Sequence, residues 1–481
     1  MDGYLSSTQL SLIGLTVLAF QIVGVVAAGH AILRARTSQG AIAWALFLLT
    51  LPFVAVPLYL VLGRSQFYGY VNARREGHQR LDEVVHKAGT KALEAGLINE
   101  TDHAEHAALE ELALMRFTHK NELRLLVDGA ATFGAIFEAI DAARDYLLVQ
   151  FFIVHDDEIG RELKVHLVAA AARGVRIFFL YDEIGSHALP SAYVRQLTDA
   201  GADVRPFHST RGRSNRFQIN FRNHRKIVVA DGRRAYVGGL NVGDEYMGRS
   251  KKFGPWRDTH LELVGPAVLA VQLAFVEDWH WATGGVPELD WHPCAAEGGD
   301  KSVLILPSGP ADELETCGLF FMHAMNVARE RLWIASPYFV PDIHVLSALQ
   351  LAALRGVDVR VILPRKPDHL LVYLSSFSFL EDAERAGMKV YRYQRGFMHQ
   401  KVMVVDDRLA SVGTANLDNR SFRLNFEITA ISDDPKFAGE VAEMFERDFA
   451  QCEQVGPEDL EDRSFWFKLG VRVSRLMAPI Q

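Results

Sequence analysis

NHRKIVVADG (residues 223–232) sets a histidine and a lysine two positions apart, follows them with four apolar residues and turns on Asp-Gly. MHQKVMVVDD (398–407) repeats the arrangement with Asp-Asp at the turn. Residues i and i+2 of an extended chain face the same way, so His224 projects with Lys226 and His399 with Lys401. The runs IVVA and VMVV then carry each strand into a core, and Asp231 and Asp406 suit a hairpin turn. The returning strands, AYVGG and ASVGT, each deliver an asparagine, Asn241 and Asn416. His224, Lys226, Asp231, Gly238 and Asn241 therefore recur as His399, Lys401, Asp406, Gly413 and Asn416 at one constant offset.

The surroundings repeat as well. ARGVRIFFLYD (172–182) is echoed by LRGVDVRVILP (354–364), and LTDAGADVRPF by LEDAERAGMKVYRY. So long a period points to a duplicated domain rather than a solenoid. Apolar strands such as YLLVQFFIV (146–154) alternate with amphipathic helices such as ELKVHLVAAAARG, which indicates an α/β body. The expected organisation is two hydrophobic membrane segments in 1–64, a helical linker in 65–120, and a first half in 121–285. A joint in 286–300, a second half in 301–455 and an amphipathic tail in 456–481 complete it. The 481 residues suffice for two or three cores.

The N-terminus differs in kind. LSLIGLTVLAFQIVGVVAA (10–28) and AIAWALFLLTLPFVAVPLYLVLG (41–63) carry no charge. Each reaches the ~20 residues that cross a bilayer, so a transmembrane helical hairpin is expected, with Pro52 and Pro57 able to kink its second arm. The first run lacks a basic leader and a second follows at once, unlike a cleaved signal peptide. Arg64, Arg74, Arg75 and Arg80 outnumber Arg34 and Arg36 in the intervening loop, which assigns the body to the cytoplasmic side of a multi-pass protein. A net charge of −8 argues against a nucleic-acid coat. Cys294, Cys317 and Cys452 are too sparse for a disulfide framework or a zinc site.

An imidazole, an ammonium and a carboxamide, supplied twice, suit a phosphodiester. Lysine and asparagine donate to non-bridging oxygens whose charge needs stabilising in the transition state. One imidazole attacks phosphorus while the other protonates the departing oxygen, then deprotonates the incoming nucleophile. The lysines supply the positive charge, so no metal or other cofactor is called for. This requires the two halves to bring their motif ends together. The aspartates stand beyond an apolar run; they count with the catalytic set by motif, while their turn position suits a structural role.

These residues resemble the phospholipase D superfamily, whose hallmark is H-x-K-x4-D. The resemblance covers about 121–452 and implies tandem α/β/α sandwich halves related by a pseudo-twofold, sharing one site at their interface. It implies a phosphohistidine intermediate, with His224 favoured as nucleophile and His399 as acid/base. It also implies an acid orienting each histidine: Glu427 of NFE in the second half and Asp258 of WRDTH in the first. Thr414 matches a phosphate-lining hydroxyl whose counterpart, Gly239, lacks one. RTSQGAIAW, WRDTHLELVGPAV, SPYFVPD and GTANLDNRSF are similar to the cardiolipin synthase branch of the superfamily. The departure is QFFIV (150–154), where an acidic residue and a tyrosine are usual, which bears on headgroup contacts.

That branch implies a bacterial inner-membrane enzyme moving a phosphatidyl group between two phosphatidylglycerols. The rival is a membrane-tethered phospholipase D using water or another alcohol. A nuclease shares the chemistry but not the lipid-type motifs or hydrophobic segments, and a non-catalytic scaffold has no use for duplicate motifs. Anionic lipid, not nucleic acid, is the expected partner. RGRSNRFQINFRNHRK (211–226) mixes arginine with phenylalanine, and FWFKLGVRVSRLMAPI (465–480) alternates aromatic, aliphatic and basic residues. The first is either a headgroup-binding or a solvated loop; the second either lies at the interface or docks on the protein.

Overall fold

The apolar runs behind the two motifs become strands buried along their whole length, Ile227–Ala230 and Val402–Val405. They are apolar throughout because neither face meets water. The computed structural model describes residues 7–35, 37–63, 67, 69–71, 73, 86, 88–98, 104–208 and 220–481. These belong to two compact units, Met1–Val71 with Ser209–Phe221, and Asn72–His208 with Arg222–Gln481.

In the first unit, α1 (Ser7–Arg34) is the one described helix long and apolar enough to cross a membrane, with mean hydropathy 2.2 over Ser11–Arg34. Of the two arms of the expected hairpin, the second apolar segment is not one continuous helix of spanning length. It divides into α2 (Ser38–Thr50) and α3 (Pro52–Leu62), of 13 and 11 residues. Pro52 has no N–H to continue the α2 ladder and instead occupies the start of α3, where none is needed. Pro57 remains inside α3. Gly24 allows α1 to approach α2 closely, since a Cβ there would stand 2.6 Å from the Leu48 carbonyl oxygen. Arg36, Arg64, Arg74, Arg75 and Arg80, which carried the orientation argument with Arg34, lie outside the described residues. So does 211–219 of the basic loop.

In the second unit, α4 (Ala104–Ala113) sends Leu109 and Ala113 into the core of the second half. The first half supplies β1 (Thr118–Val127), β2 (Tyr146–Phe151), β3 (Arg176–Asp182), β4 (Asp203–Phe207), β5 (Ile227–Ala230), β6 (Arg234–Gly238) and β7 (Thr259–Val264). The second supplies β8 (Lys301–Ser308), β9 (Arg331–Ala335), β10 (Asp358–Pro364), β11 (Lys389–Tyr393), β12 (Val402–Val405), β13 (Leu409–Gly413) and β14 (Asn425–Asp433), with β15 (Cys452–Val455) at the edge. Across the sheet the order is β4-β3-β2-β5-β6-β7-β1-β8-β14-β13-β12-β9-β10-β11-β15. Every strand of the first half is thus answered by the strand seven later. β2, β3 and β4 are parallel, as are β9, β10 and β11. β1 joins the halves by pairing antiparallel with β8. The duplicated α/β architecture follows directly from this order.

Helices α5 (Asp128–Ala142), α6 (Glu158–Ala172), α7 (Ser191–Asp199) and α8 (Val268–Thr283) belong to the first half. Phe133, Leu163 and Tyr193 from three of them form one core with Val149 and Phe179. The second half carries α9 (Thr316–Val327), α10 (Ile343–Leu354), α11 (Leu370–Phe377), α12 (Leu380–Arg385), α13 (Asn419–Arg423), α14 (Pro435–Phe449), α15 (Glu458–Glu461) and α16 (Phe465–Leu476). Its own core gathers Phe320, Leu349 and Phe377 around Ile334 and Val361. Residues 284–300 between the halves contain no helix or strand.

Two short ladders cross between the halves. Arg222–Asn223 runs parallel to the start of β14, with Asn223 opposite Phe426. Phe397–Met398 runs parallel to Trp256–Arg257, with Met398 opposite Arg257.

Candidate active site

His224 and Lys226 lie between the short strand Arg222–Asn223 and β5; His399 and Lys401 lie between Phe397–Met398 and β12. All four are buried. The cross-half ladders set what stands behind each imidazole. Asn223 faces Phe426, and the His224 amide donates to the Phe426 carbonyl at 2.9 Å, so the next pair abreast is His224 with Glu427. His224 Nδ1 donates to Glu427 Oε2 at 2.9 Å. In the same way the His399 amide donates to the Arg257 carbonyl at 2.8 Å, and His399 Nδ1 donates to Asp258 Oδ2 at 2.9 Å. Each histidine is therefore oriented by the acid of the opposite half.

The two acids are held differently. Glu427 accepts four side-chain donors: His224, Thr414 Oγ1 at 2.6 Å, Ser421 Oγ at 2.8 Å and Asn425 Nδ2 at 3.2 Å. Burial alone would raise its pKa, but the charges of His224 and Lys226 with these hydrogen bonds hold it below the ordinary glutamate value. Asp258 accepts the Thr259 amide at 2.8 Å and the Trp256 indole N–H at 3.4 Å besides His399, and burial pushes its pKa up despite Lys401.

Burial pushes His224 down to about 4 and His399 well below its ordinary value, so both rings are neutral near pH 7 with Nε2 unprotonated. Lys226 is lowered well below its ordinary value and Lys401 to about 8, burial being the first cause for each. Lys401 Nζ stands 3.1 Å from His399 Nε2, and Lys226 Nζ donates to the His224 carbonyl at 2.5 Å. The motifs feel each other: the charge of Lys401 lowers His224, and those of Lys226 and His224 lower His399. Two imidazoles, two lysine amines and two carboxylates, drawn from both halves, are thus buried within electrostatic reach of one another.

The motif's placing of Asp231 and Asp406 with the catalytic set, and the phosphate contact of Thr414, change on this geometry, while the structural reading of the aspartates holds. Asp231 and Asp406 are not at the site. Each sits past the far end of its strand with φ of 53° and 52°, holding backbone amides. Asp231 accepts from Arg144, Asp145 and Tyr146, and Asp406 from Arg329, Glu330 and Arg331. A carboxylate caps the start of β2 and of β9 in this way, which is a structural role. Thr414 does not present its hydroxyl to a phosphate. The hydroxyl donates to Glu427 and accepts the Ile428 amide at 2.9 Å. Its counterpart Gly239 leaves the room that Asp258 occupies: a Cβ there would stand 2.0 Å from Asp258 Oδ1 and displace the carboxylate.

The asparagines diverge. Asn241 accepts the Ile153 amide at 3.1 Å and donates to the Tyr246 hydroxyl at 3.1 Å. Asn416 donates to Asp418 at 3.4 Å, and its buried Oδ1 has no partner among the described residues. Gln150, at the departure from the family pattern, turns inward to Asn223 at 2.7 Å and Asp278 at 2.8 Å. Phe152 sets its ring edge-on to His224 with centroids 5.1 Å apart.

Sequence reasoning did not single out several neighbours. Ser421 is one, although NRSF was part of the resemblance. Arg257 forks onto Asp448 of α14 with two contacts of 2.8 Å, and Gln400, the middle residue of the second motif, donates to the same carboxylate at 2.8 Å. Arg225, its counterpart, pairs with Asp278 of α8 at 3.0 Å and donates to the Glu427 carbonyl at 3.0 Å. The "x" of each H-x-K therefore anchors the motif to a buried aspartate. Tyr338 donates to Asp368 at 2.5 Å, and Asp368 is close enough to raise both His399 and Lys401 electrostatically. Spacing along the chain carries no signal for these contacts.

The family model described as "Cardiolipin synthase, PLD-like domain" matches residues 136–252 and 321–449, and "Phospholipase_D-nuclease N-terminal" matches 16–64. The chain is 49% identical over 467 residues to cardiolipin synthase A of Pseudomonas entomophila (strain L48), covering 95% of this chain and 96% of the relative. Cardiolipin synthase A of Pseudomonas aeruginosa (strain LESB58) is also 49% identical, over 98% of this chain and 97% of its own. Among solved structures, phosphatidylserine synthase of Haemophilus influenzae Rd KW20 shares the fold at TM-score 0.59 and 16% identity, over 78% of this chain and all of that one.

Proposed function

This chain belongs to the cardiolipin synthase family of PLD-like proteins, and we propose that it joins two phosphatidylglycerols into cardiolipin with release of glycerol. His224 Nε2 attacks the phosphorus of the first phosphatidylglycerol. The anionic phosphate of the bound lipid raises His399, which takes up a proton from water at Nε2; the bond from phosphorus to the glycerol oxygen breaks, and that oxygen takes this proton. The phosphatidyl group now rests on His224. His399 then removes the proton from a terminal hydroxyl of the second phosphatidylglycerol, whose oxygen displaces His224. One phosphodiester replaces another, so no nucleotide enters the balance.

The observation that carries this reading is the crossed pairing, His224 with Glu427 and His399 with Asp258. A shared phosphorus between the halves, related by a pseudo-twofold, gives each crossed pair a distinct task. Titratable groups whose surroundings push them apart are how acid and nucleophile are told apart. Glu427, ionised and held by four donors, stabilises the positive charge that grows on His224 as it bonds phosphorus. Asp258 holds the His399 ring through Nδ1 while Nε2 carries the proton between the leaving and the entering oxygen. Lys226 and Lys401 hold the non-bridging oxygens.

A diacyl lipid does not leave the bilayer cheaply, at about 0.8 kcal/mol per methylene. The membrane-associated N-terminus fits that constraint. We assign the protein to the bacterial inner membrane, α1 crossing and α2–α3 returning, with the body on the cytoplasmic side. Micelles of phosphatidylglycerol alone test the reading: cardiolipin and glycerol should appear in equal amounts. Phosphatidic acid as the main product would overturn it in favour of a hydrolase.

A further inference from the structure

The C-terminal helix α16 carries two apolar arcs, and only one is used by the protein. Val471 and Ser474 are buried, Phe467 meets Phe377 of α11 edge-on at 5.2 Å, and a Cβ on Gly470 would touch Leu374. Arg475 reaches the Ser378 carbonyl at 3.2 Å. At roughly 100° per residue these positions share one side of the helix. Phe465, Trp466, Leu469, Val473 and Leu476 occupy a second arc of roughly 100° that faces away. Phe465, Trp466 and Leu476 are 70%, 76% and 79% exposed. Lys468 and Arg472 line one border of that arc. At its N-terminal end α11 adds Leu370, 64% exposed, and Leu371.

We infer that this face of α16 and α11 lies in the headgroup region of an anionic bilayer and presents the catalytic body to it. Three observations favour a lipid surface as the occupant. The arc is continuous, aromatic at its start and aliphatic beyond, the pattern of an interfacial helix. Its border is basic on a chain of net charge −8, complementary to anionic lipid. It also adjoins the site: α11 follows directly on Asp368, which holds Tyr338 and is near enough to His399 and Lys401 to raise both. A face seated at the headgroups beside that loop gives the substrate phosphate a short path to the imidazoles. The inference holds for any reaction on a bilayer lipid, and its main test needs no turnover.

The full-length enzyme is reconstituted in vesicles of phosphatidylglycerol and phosphatidylethanolamine, with and without bromine on the acyl chains. The chain has seven tryptophans, so the Trp466 signal is taken as wild type minus Trp466→Phe. Bromine should quench that component at least twofold, and the double change Lys468→Glu with Arg472→Glu should abolish the quenching. A component that lipid bromine leaves untouched overturns the inference, in two distinguishable ways. If acrylamide quenches it, the face stays in water; if acrylamide does not, a second copy or another segment of this chain covers it. As a second readout, Trp466→Ser with Leu469→Ser and Val473→Ser should lower turnover about tenfold in vesicles and leave it unchanged in detergent micelles. Equal loss in both settings, or none in either, overturns it.

Discussion

Glu427 accepts the Nδ1 proton of His224 at 2.9 Å although 203 residues separate them in the chain. The strand that holds Glu427 belongs to the opposite half, as Asp258 does for His399 across 141 residues. Neither half therefore contains a complete site. The pairing follows from two short parallel ladders, each placing a histidine one residue beyond a paired position and abreast of an acid.

Replacing Glu427 with Gln keeps the shape but removes the charge that orients His224 and supports it as it bonds phosphorus. Turnover is expected to fall roughly 10²–10⁴-fold, by analogy with neutralising the acid of a histidine–carboxylate pair. Circular dichroism should remain that of the wild type. Unchanged turnover would remove Glu427 from the mechanism.

Labelled phosphatidylglycerol quenched in acid during turnover should leave the label on the peptide containing His224. Label on the peptide containing His399 would reverse the two roles. Either histidine changed to Ala should abolish turnover, and retained activity in one of them would contradict a shared site.

The pH profile of kcat/KM should be a bell. His224, pushed to about 4, is deprotonated and nucleophilic above that pH, so activity rises through the acid limb. His399 must bind a proton to act as acid, so activity falls as pH rises through its lowered value, and falls again near 8 on the alkaline limb as Lys401 loses its positive charge. Lys401→Arg should move the alkaline limb upward. Lys226→Ala and Lys401→Ala should each raise the barrier by about 2.7–4 kcal/mol, comparable to losing an oxyanion donor. Activity should survive EDTA.

Asp231→Asn separates structure from chemistry. It tolerates the positive φ but turns one of the two oxygens that accept the Arg144, Asp145 and Tyr146 amides into a donor. Stability should fall by about 1–3 kcal/mol, read as a lower denaturation midpoint, while kcat of the folded enzyme stays near wild type. A loss of kcat comparable to that of a histidine variant would return Asp231 to the site.

Arg257→Met leaves Asp448 buried without its cation. A loss of about 3–5 kcal/mol is expected, measured by denaturant unfolding. Because Arg257 and Asp448 come from different halves, the loss should exceed that of an exposed pair such as Arg385 with Glu381. Equal effects would deny the fork its role between the halves.

Much of this protein is legible along the chain because the relevant signals are local. Unbroken apolar runs, an imidazole and an ammonium two residues apart, and one constant offset between copies require no knowledge of distant partners. They determined the duplicated α/β body, the two histidine–lysine pairs that the fold buries, and the uncharged N-terminal segments. What tertiary structure alone decided depends on segments that meet only after folding. Pairing of Asn223 with Phe426 and of Met398 with Arg257 chose which acid backs which histidine. Packing turned Thr414 toward Glu427, closed Gly239 against Asp258, and drew Asp231 and Asp406 to backbone amides away from the site. Spacing states which side chains share a strand face; only contacts between strands from different halves state what those side chains touch.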